Sequence, residues 1–270
     1  MRNTYPPQTR RKDSSRHRRV LAIVGDSQVG LWVVRSLGRG GLTAFAVCFT
    51  DHGLSNYCSY AGGSWVPEFE LNDPRFADGI QGLARELDVG SVMSIAEPVH
   101  RMLIECRSKF DPDIHMFSPS AESFEKATDK DYMHRLAESL SVPVARGMTL
   151  DQFTTGARRS FRFPLVLRTR SLYCGNGAAP WKAAYAENEK QLESLYQDVA
   201  SIAGNVLVQE YHPGVEDHIQ VLMHGGEAFM VGEYIGEHHM PLAGGVTVQR
   251  VTCHHEDLAR DAVRLLQAVG

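Results

Sequence analysis

The sequence predicts an α/β protein whose N-terminal half is a doubly wound parallel sheet. Residues 20–24 form an apolar run of strand length that ends at Gly25, and helix-like spacing follows as far as Leu37. Strand-length apolar runs recur at residues 43–49 and 91–96, with an amphipathic segment between them. In the C-terminal half, alternating strands and glycine turns predict a second domain of the α+β type.

Length and composition are those of an ordinary globular protein with about two domains. The chain has 270 residues, of which 43% are hydrophobic and 22% charged. We expect a disordered basic tail over residues 1–19 and the doubly wound domain over residues 20–120. The second domain then divides into parts at residues 121–205 and 206–270.

Charge is unevenly distributed along the chain. Residues 1–19 hold seven basic residues and one acidic residue, so with a net charge of −4 overall the remaining body carries −10. An acidic body argues against a nucleic-acid-binding core, and no apolar run reaches the ~20 residues of a membrane span. The five scattered cysteines form no C-x-x-C pair, which predicts a reducing, cytoplasmic location.

Two nucleotide motifs can be tested at the first glycine turn, and both fail. Gly30 is followed by Leu31 and Trp32 rather than by the lysine of a Walker loop. Gly25 and Gly30 alone do not make the G-x-G-x-x-G fingerprint of dinucleotide sites. A nicotinamide-dependent oxidoreductase is therefore only a weak alternative.

Cationic side chains occur at two places in the second half. Residues 120–140 are predicted to be helical, and the segment TDKDYMHRLAESL places Thr128 or Asp129 at a helix cap. Lys130 then falls in the first turn, where the helix dipole opposes a cation. Arg168 and Arg170 lie on one face of an alternating strand that runs into the glycine-bearing loop CGNGAA at residues 174–179. These residues predict either a hairpin that closes over phosphates or an ordinary surface hairpin with solvated cations.

The stretch VLVQEYHPGVE, residues 206–216, reads as a buried strand that runs into a tight turn. Glu210 and Glu216 place two acceptors six residues apart, with Tyr211 between them. Such a row can contact an adenine edge and then a ribose, or it can be a plain strand and solvated turn. Farther on, the pairs His238–His239 and His254–His255 lack the i, i+4 spacing of helical metal ligands, so we predict no metal site on this chain.

Taken in order, these segments resemble the ATP-grasp superfamily. The resemblance extends over about residues 20–270 and is strongest toward predicted carboxylate-amine ligases related to D-aspartate ligase and the carbamoyl-phosphate synthase large subunit. The segments that carry it are VLAIVGDSQVGLWVVRSLGRGGL, ATDKDYMHRLAESLSVPVA, FPLVLRTRS with its glycine loop, VLVQEYHPGVEDHIQVL and AGGVTVQRVT. It implies a pre-ATP-grasp domain at residues 20–120 followed by an incomplete ATP-grasp domain.

The resemblance also implies roles for individual residues. Lys130 and Arg168 would bind phosphates, although the family usually has a lysine where Arg168 stands, and a planar guanidinium does not replace an ammonium ion simply. Gly175 and Gly177 would form a lid loop over the phosphates. The remaining implied roles are contacts with the nucleoside and the substrate. Glu210 and Tyr211 would contact the adenine, Glu216 the ribose, and Arg250 the acyl phosphate or the substrate carboxylate.

The implied reaction joins a small-molecule carboxylate to an amine at the expense of ATP. The family's Mg²⁺ ligands are expected beyond the last residue of this sequence, which leaves open a homodimer or a complementing C-terminal chain as partner. A nucleotide-binding protein without ligase activity, or half of a split enzyme, is the main alternative.

Overall fold

A computed structural model of the chain describes residues 1–5, 15–171, 173–174, 177–178, 183–240 and 246–270. The chain divides into two compact units, Met1–Ala121 and Glu122–Gly270. Within the described residues, no helix is both long and apolar enough to cross a bilayer.

The first unit is built on a six-stranded sheet with the order β1-β4-β3-β2-β5-β6. Its strands are β1 (Arg2–Tyr5), β2 (Arg19–Ile23), β3 (Thr43–Val47), β4 (Ala61–Val66), β5 (Ser91–Ser94) and β6 (His115–Phe117). Five strands are parallel, and β1 runs antiparallel along the edge beside β4. The predicted parallel sheet and the α/β class are confirmed.

Three helices follow strands of this sheet: α1 (Gln28–Arg39), α2 (Pro74–Glu86) and α3 (Glu97–Glu105). The hydroxyl of Ser27 accepts from the N–H of Gly30 and so caps α1, and a proline at the start of α2 fits the first helical turn. The central strands are buried on both faces, as their continuous apolar sequences predict.

The N-terminal tail differs from its prediction. Residues 2–5 form β1 instead of a disordered segment, and the N-terminal ammonium of Met1 lies 2.7 Å from a carboxylate oxygen of Glu68. Arg16 also lies near acids, with its guanidinium 3.4 Å from Asp111. Among the described residues of the tail, Arg16 and Arg19 therefore pair with surface acids.

The second unit contains a four-stranded antiparallel sheet with the order β11-β8-β12-β7. Its strands are β7 (Gly147–Thr149), β8 (Leu165–Thr169), β11 (Ala183–Ala186) and β12 (Val206–Glu210), and the separate two-stranded ribbon comprises β9 (Tyr173–Cys174) and β10 (Gly177–Ala178). One face of the four-stranded sheet packs against α6 (Leu150–Gln152), the turns that follow it and α7 (Glu189–Val199). The main hydrophobic cluster of this unit lies on that face.

A three-stranded antiparallel sheet completes the second unit. It consists of β13 (Glu216–His224), β14 (Glu227–Met240) and β15 (Val246–Thr252), and α8 (Glu256–Val269) packs on one of its faces. His238 and His239 lie on β14 near its end.

The helix predicted over residues 120–140 is two helices in the structure. They are α4 (Ala121–Thr128) and α5 (Lys130–Ser139), and Asp129 between them has an extended backbone. The Asp129 carboxylate accepts hydrogen bonds from the N–H groups of Asp131 and Tyr132. Asp129 is thus the N-cap of α5, which sets Lys130 as the first residue of that helix.

Candidate functional site

At the glycine turn of the first unit, the carboxylate of Asp26 already accepts backbone hydrogen bonds. Asp26 follows β2 at the carboxyl edge of the parallel sheet, where open α/β sheets bind ligands. Its Oδ1 atom accepts from the N–H groups of Phe49 and Thr50, at 2.8 and 3.0 Å. A Cβ at Gly30 would stand 2.7 Å from the Val24 carbonyl oxygen, so this glycine serves helix packing. A carboxylate held at this edge disfavours a pyrophosphate.

The four-stranded sheet of the second unit has an open face opposite its core. Cross-strand register puts Val166 and Arg168 of β8 on this face, beside Tyr185 of β11 and Gln209 of β12. Leu165, Leu167, Val206 and Val208 point the other way, into the core. Alternation with period two therefore separates an apolar face from one that carries a cation and an aromatic ring. We call the latter the open face.

The start of α5 is fastened to the end of β8. The guanidinium of Arg170 forms a bidentate ion pair with the carboxylate of Asp129, with Nε 2.7 Å from Oδ1. The carbonyl oxygen of Arg170 accepts from the backbone N–H of Lys130 at 3.1 Å and lies 3.4 Å from its Nζ atom. The structure therefore brings Lys130 to the strand that carries Arg168.

The two arginines of this strand have different surroundings. Burial would raise the pKa of Asp129, but the hydrogen bonds from Arg170 and the α5 backbone outweigh it, so the pKa lies below its ordinary value. Arg168 forms no ion pair with any carboxylate in the part of the chain that the structure describes, and burial lowers the pKa of its guanidinium. A half-buried cation without a counter-charge favours an anionic ligand on the open face.

The predicted adenine-binding stretch is a strand end, with one difference from expectation. The backbone N–H groups of Glu210 and Tyr211 donate to Arg146 and Pro164 carbonyl oxygens, both at 2.9 Å. The carboxylate of Glu210 accepts from the Arg162 N–H at 3.0 Å on the core side, so it is not offered to a ligand on the open face.

Aromatic rings border this strand end. Tyr211 is exposed, and its ring packs edge to face with that of Tyr185, with centroids 5.8 Å apart. Sequence reasoning missed Tyr185, whose place on an alternating strand was the available signal. Gly175 lies outside the described residues, and Gly177 pairs with Cys174 in the short β9–β10 ribbon.

Glu216 and Arg250 lie on the other sheet of the second unit, and a row of stacked rings joins them. The Arg250 guanidinium lies 4.5 Å from the ring centroid of Tyr234, and the His218 ring stacks on Tyr234 at 4.6 Å. Glu216 lies 3.4 Å from the His218 Nε2 atom and 2.5 Å from that of His239. The structure therefore brings the predicted ribose and carboxylate ligands to one face.

A second group of polar side chains, which sequence reasoning missed, lies on the opposite face of this sheet, beneath the start of α8. Asp217, Glu233, Cys253 and His255 place one potential ligand atom each within 4.8 Å of all the others. The hydrogen bond that the His255 imidazole makes to the Glu233 carboxylate raises the pKa of His255, and burial together with the nearby carboxylates raises the pKa of Cys253. No local motif signals this group, because its members come from β13, β14, the residue that follows β15 and the N-cap of α8.

Known structures share this arrangement of elements. The L-amino acid ligase from Bacillus licheniformis superposes with a TM-score of 0.64 at 14% identity, over 93% of this chain and 60% of that one. The biotin carboxylase domain of the Hydrogenobacter thermophilus 2-oxoglutarate carboxylase superposes with a TM-score of 0.68 at 16% identity, over 95% of this chain and 59% of that one. The biotin carboxylase from Campylobacter jejuni superposes with a TM-score of 0.66 at 17% identity, over 92% of this chain and 59% of that one.

The chain has the ATP-grasp fold. In sequence it is 25% identical over 134 residues to the arginine-specific carbamoyl phosphate synthase large chain of Halalkalibacterium halodurans, a match that covers 48% of this chain and 12% of that protein. No protein-family model matches the chain. The chain thus spans about 60% of the solved ATP-grasp structures and a small part of the synthase.

Proposed function

We propose that this chain is the nucleotide-binding part of an ATP-dependent ligase that joins a carboxylate to an amine. The supporting observation is the contrast between two arginines on one strand. Arg170 is neutralised by Asp129, whereas Arg168 sits half-buried on the open face without a carboxylate partner among the described residues. A nucleotide phosphate would supply the missing negative charge.

The surrounding groups fit the rest of a nucleotide. Lys130 lies at the same end of β8 and adds a second cation for the phosphates. The strand end after Glu210, with the Tyr211 and Tyr185 rings beside it, would receive the base. Glu216 is proposed for the ribose hydroxyls and Arg250 for a substrate carboxylate or acyl phosphate.

In the proposed reaction, a substrate carboxylate oxygen attacks the γ-phosphorus of ATP. The bond from that phosphorus to the β,γ-bridging oxygen breaks, and ADP leaves. An amine nitrogen then attacks the acyl carbon of the acyl phosphate, inorganic phosphate leaves with the bonding pair, and the nitrogen loses a proton to give the amide. The protein's part is to position and neutralise charge, so we assign no general base.

The described residues around Arg168 do not fit a Mg²⁺ cage. Mg²⁺ takes carboxylate and water oxygens, whereas this face offers cations and phenols, and Asp129 is already held by Arg170. We therefore assign no Mg²⁺ ligand among them. The Mg²⁺ that the resemblance implies would reach the open face bound to the nucleotide phosphates.

Calorimetric titration with ATP tests the nucleotide site. Removing the charge in Arg168→Gln takes away charge-assisted hydrogen bonds worth about 1.5–3 kcal/mol, so ATP affinity should fall about tenfold to hundredfold. Arg260→Gln is the matched control, since it removes an exposed charge of α8 that pairs with the neighbouring Asp257 and Asp261. Equal ATP affinity in Arg168→Gln and the wild type would overturn this site.

A turnover assay separates ligase from simple nucleotide binder. The purified chain is supplied with Mg²⁺, ATP and pairs of amino acids, and release of ADP is measured. The ligase proposal expects ADP release that depends on both a carboxylate and an amine. Tight ATP binding without such release would favour the alternative, a nucleotide-binding protein or half of a split enzyme.

A further inference from the structure

We propose that Asp217, Glu233, Cys253 and His255 form a binding site for one divalent transition-metal ion, of which Zn²⁺ fits the donors best. This group, which we call the α8 cluster, lies on the face of the three-stranded sheet that α8 covers. It is separate from the open face, so the proposal does not depend on nucleotide binding.

Strand register brings the four side chains together. On β14, Glu233 pairs with Ile219 of β13, so Asp217 is its diagonal neighbour on the same face. On the other side, the N–H of Cys253 donates to the Glu233 carbonyl oxygen, which places the thiol opposite Glu233. His255 follows two residues later as the N-cap of α8 and folds back over both acids.

The distances suit a common metal ion. The His255 Nδ1 atom lies 2.5 Å from a Glu233 oxygen and 3.0 Å from an Asp217 oxygen, and all four ligand atoms lie within 4.8 Å of one another. Around a tetrahedral Zn²⁺ with bonds of about 2.0–2.3 Å, ligand atoms stand about 3.3–3.8 Å apart. The side chains therefore need to shift by about an ångström or less to surround an ion.

Two carboxylates meet inside the cluster. The Glu233 side chain is 1% exposed, the imidazole of His255 contacts both carboxylates, and the Nδ1 atom of His254 lies 3.5 Å from a Glu233 oxygen. The Oδ1 atom of Asp217 is shielded from solvent and has no hydrogen-bond donor among the described residues. A buried carboxylate oxygen without a partner is costly, and an ion bound at this point would satisfy it.

The donor set discriminates between metals. Mg²⁺ and Ca²⁺ bind oxygen atoms almost exclusively, whereas a thiolate, an imidazole nitrogen and two carboxylate oxygens suit Zn²⁺. Four protein ligands leave no open position, which is the pattern of a structural site. An ion here would tie β13, β14 and the end of β15 to the first turn of α8.

The test uses the purified full chain, stripped of metal with a chelator and then titrated with Zn²⁺ and, separately, with Co²⁺. We expect one Zn²⁺ retained per chain after dialysis and a midpoint of thermal unfolding that rises with Zn²⁺ concentration. Co²⁺ should give a thiolate charge-transfer absorption. Cys253→Ser should abolish that band, and His255→Gln should weaken Zn²⁺ binding at least tenfold.

Two control variants keep the assignment specific. Cys106→Ser removes a thiol from the first unit, and His239→Gln alters the neighbouring group of Glu216, His218 and His239 on the opposite face. Both should retain the bound Zn²⁺ and the Co²⁺ band. Absence of retained metal in the wild type, a band that survives Cys253→Ser, or loss of binding in His239→Gln but not in His255→Gln would each overturn the proposal. Circular dichroism confirms that the variants are folded.

Discussion

The ion pair between Asp129 and Arg170 gives a prediction that separates a helix cap from a salt bridge. Asp129 does both, because its carboxylate accepts from the α5 backbone and from the Arg170 guanidinium. Asp129→Asn keeps a good N-cap and removes the charge, whereas Asp129→Ala removes both functions. The two variants therefore measure the two contributions separately.

The exposure of the ion pair sets how much free energy of unfolding each variant should lose. A hydrogen-bonded charge pair contributes about 1.5–3 kcal/mol when it is buried, but the Arg170 side chain is 36% exposed, so solvent screening reduces the loss in Asp129→Asn to about 1 kcal/mol. Loss of the cap adds about 1 kcal/mol, which makes the expected loss in Asp129→Ala about 2 kcal/mol.

Urea unfolding followed by circular dichroism measures both losses. Asp131→Asn serves as the control, since this carboxylate lies 3.9 Å from Arg170 and does not cap the helix. If Asp129→Asn destabilises the chain as much as Asp129→Ala, the charge rather than the cap carries the effect, and the division proposed here is wrong. If neither Asp129 variant loses more free energy of unfolding than Asp131→Asn, Asp129 does not stabilise the position of α5.

Three further predictions concern the second unit. The pKa of Asp129 is lowered in the fold, so its ion pair should stabilise the chain fully above the ordinary carboxyl pKa of ~3.9. This contribution is lost as the pH falls through the lower pKa of the folded state. The free energy of unfolding, measured across the acid range, should therefore fall less steeply in Asp129→Asn than in the wild type. Gly236→Ala should displace His239, whose Nε2 atom lies 2.9 Å from the new Cβ, and so change the NMR chemical shifts of its imidazole ring. Unchanged chemical shifts would contradict the contact. Leu167→Ala should lower the free energy of unfolding, measured with urea, by about 2–5 kcal/mol because Leu167 is fully buried. Leu222→Ala, at an exposed position, should lower it by less than ~0.5 kcal/mol. Similar losses in the two variants would contradict the assigned faces of the two sheets.

Much of the fold follows from local pattern. The apolar runs at β2, β3 and β5 are buried on both sides, and predicting them needed no long-range information. Local pattern also placed Arg168 on a strand and Lys130 at the start of a helix. These are properties of a residue and its near neighbours.

The remainder depends on contacts between distant residues. The ion pair that joins the Asp129 carboxylate to Arg170 spans 41 residues, so no local pattern indicates it. The core-side position of the Glu210 carboxylate depends on the N–H of Arg162, 48 residues away. The α8 cluster depends on the register of three strands, which no spacing between Asp217 and His255 reveals. Site chemistry was therefore less predictable than the strands that carry it.

The central claim is that a nucleotide binds on the open face of the four-stranded sheet of the second unit. Photolabelling with an azido-adenine analogue of ATP, followed by peptide mass spectrometry, tests it directly. We predict that the label attaches within residues 206–216 or at Tyr185, that excess ATP prevents the labelling, and that Arg168→Gln reduces it. Labelling protected by ATP at the Gly25 turn of the first unit would contradict the claim and place the nucleotide at the parallel sheet instead.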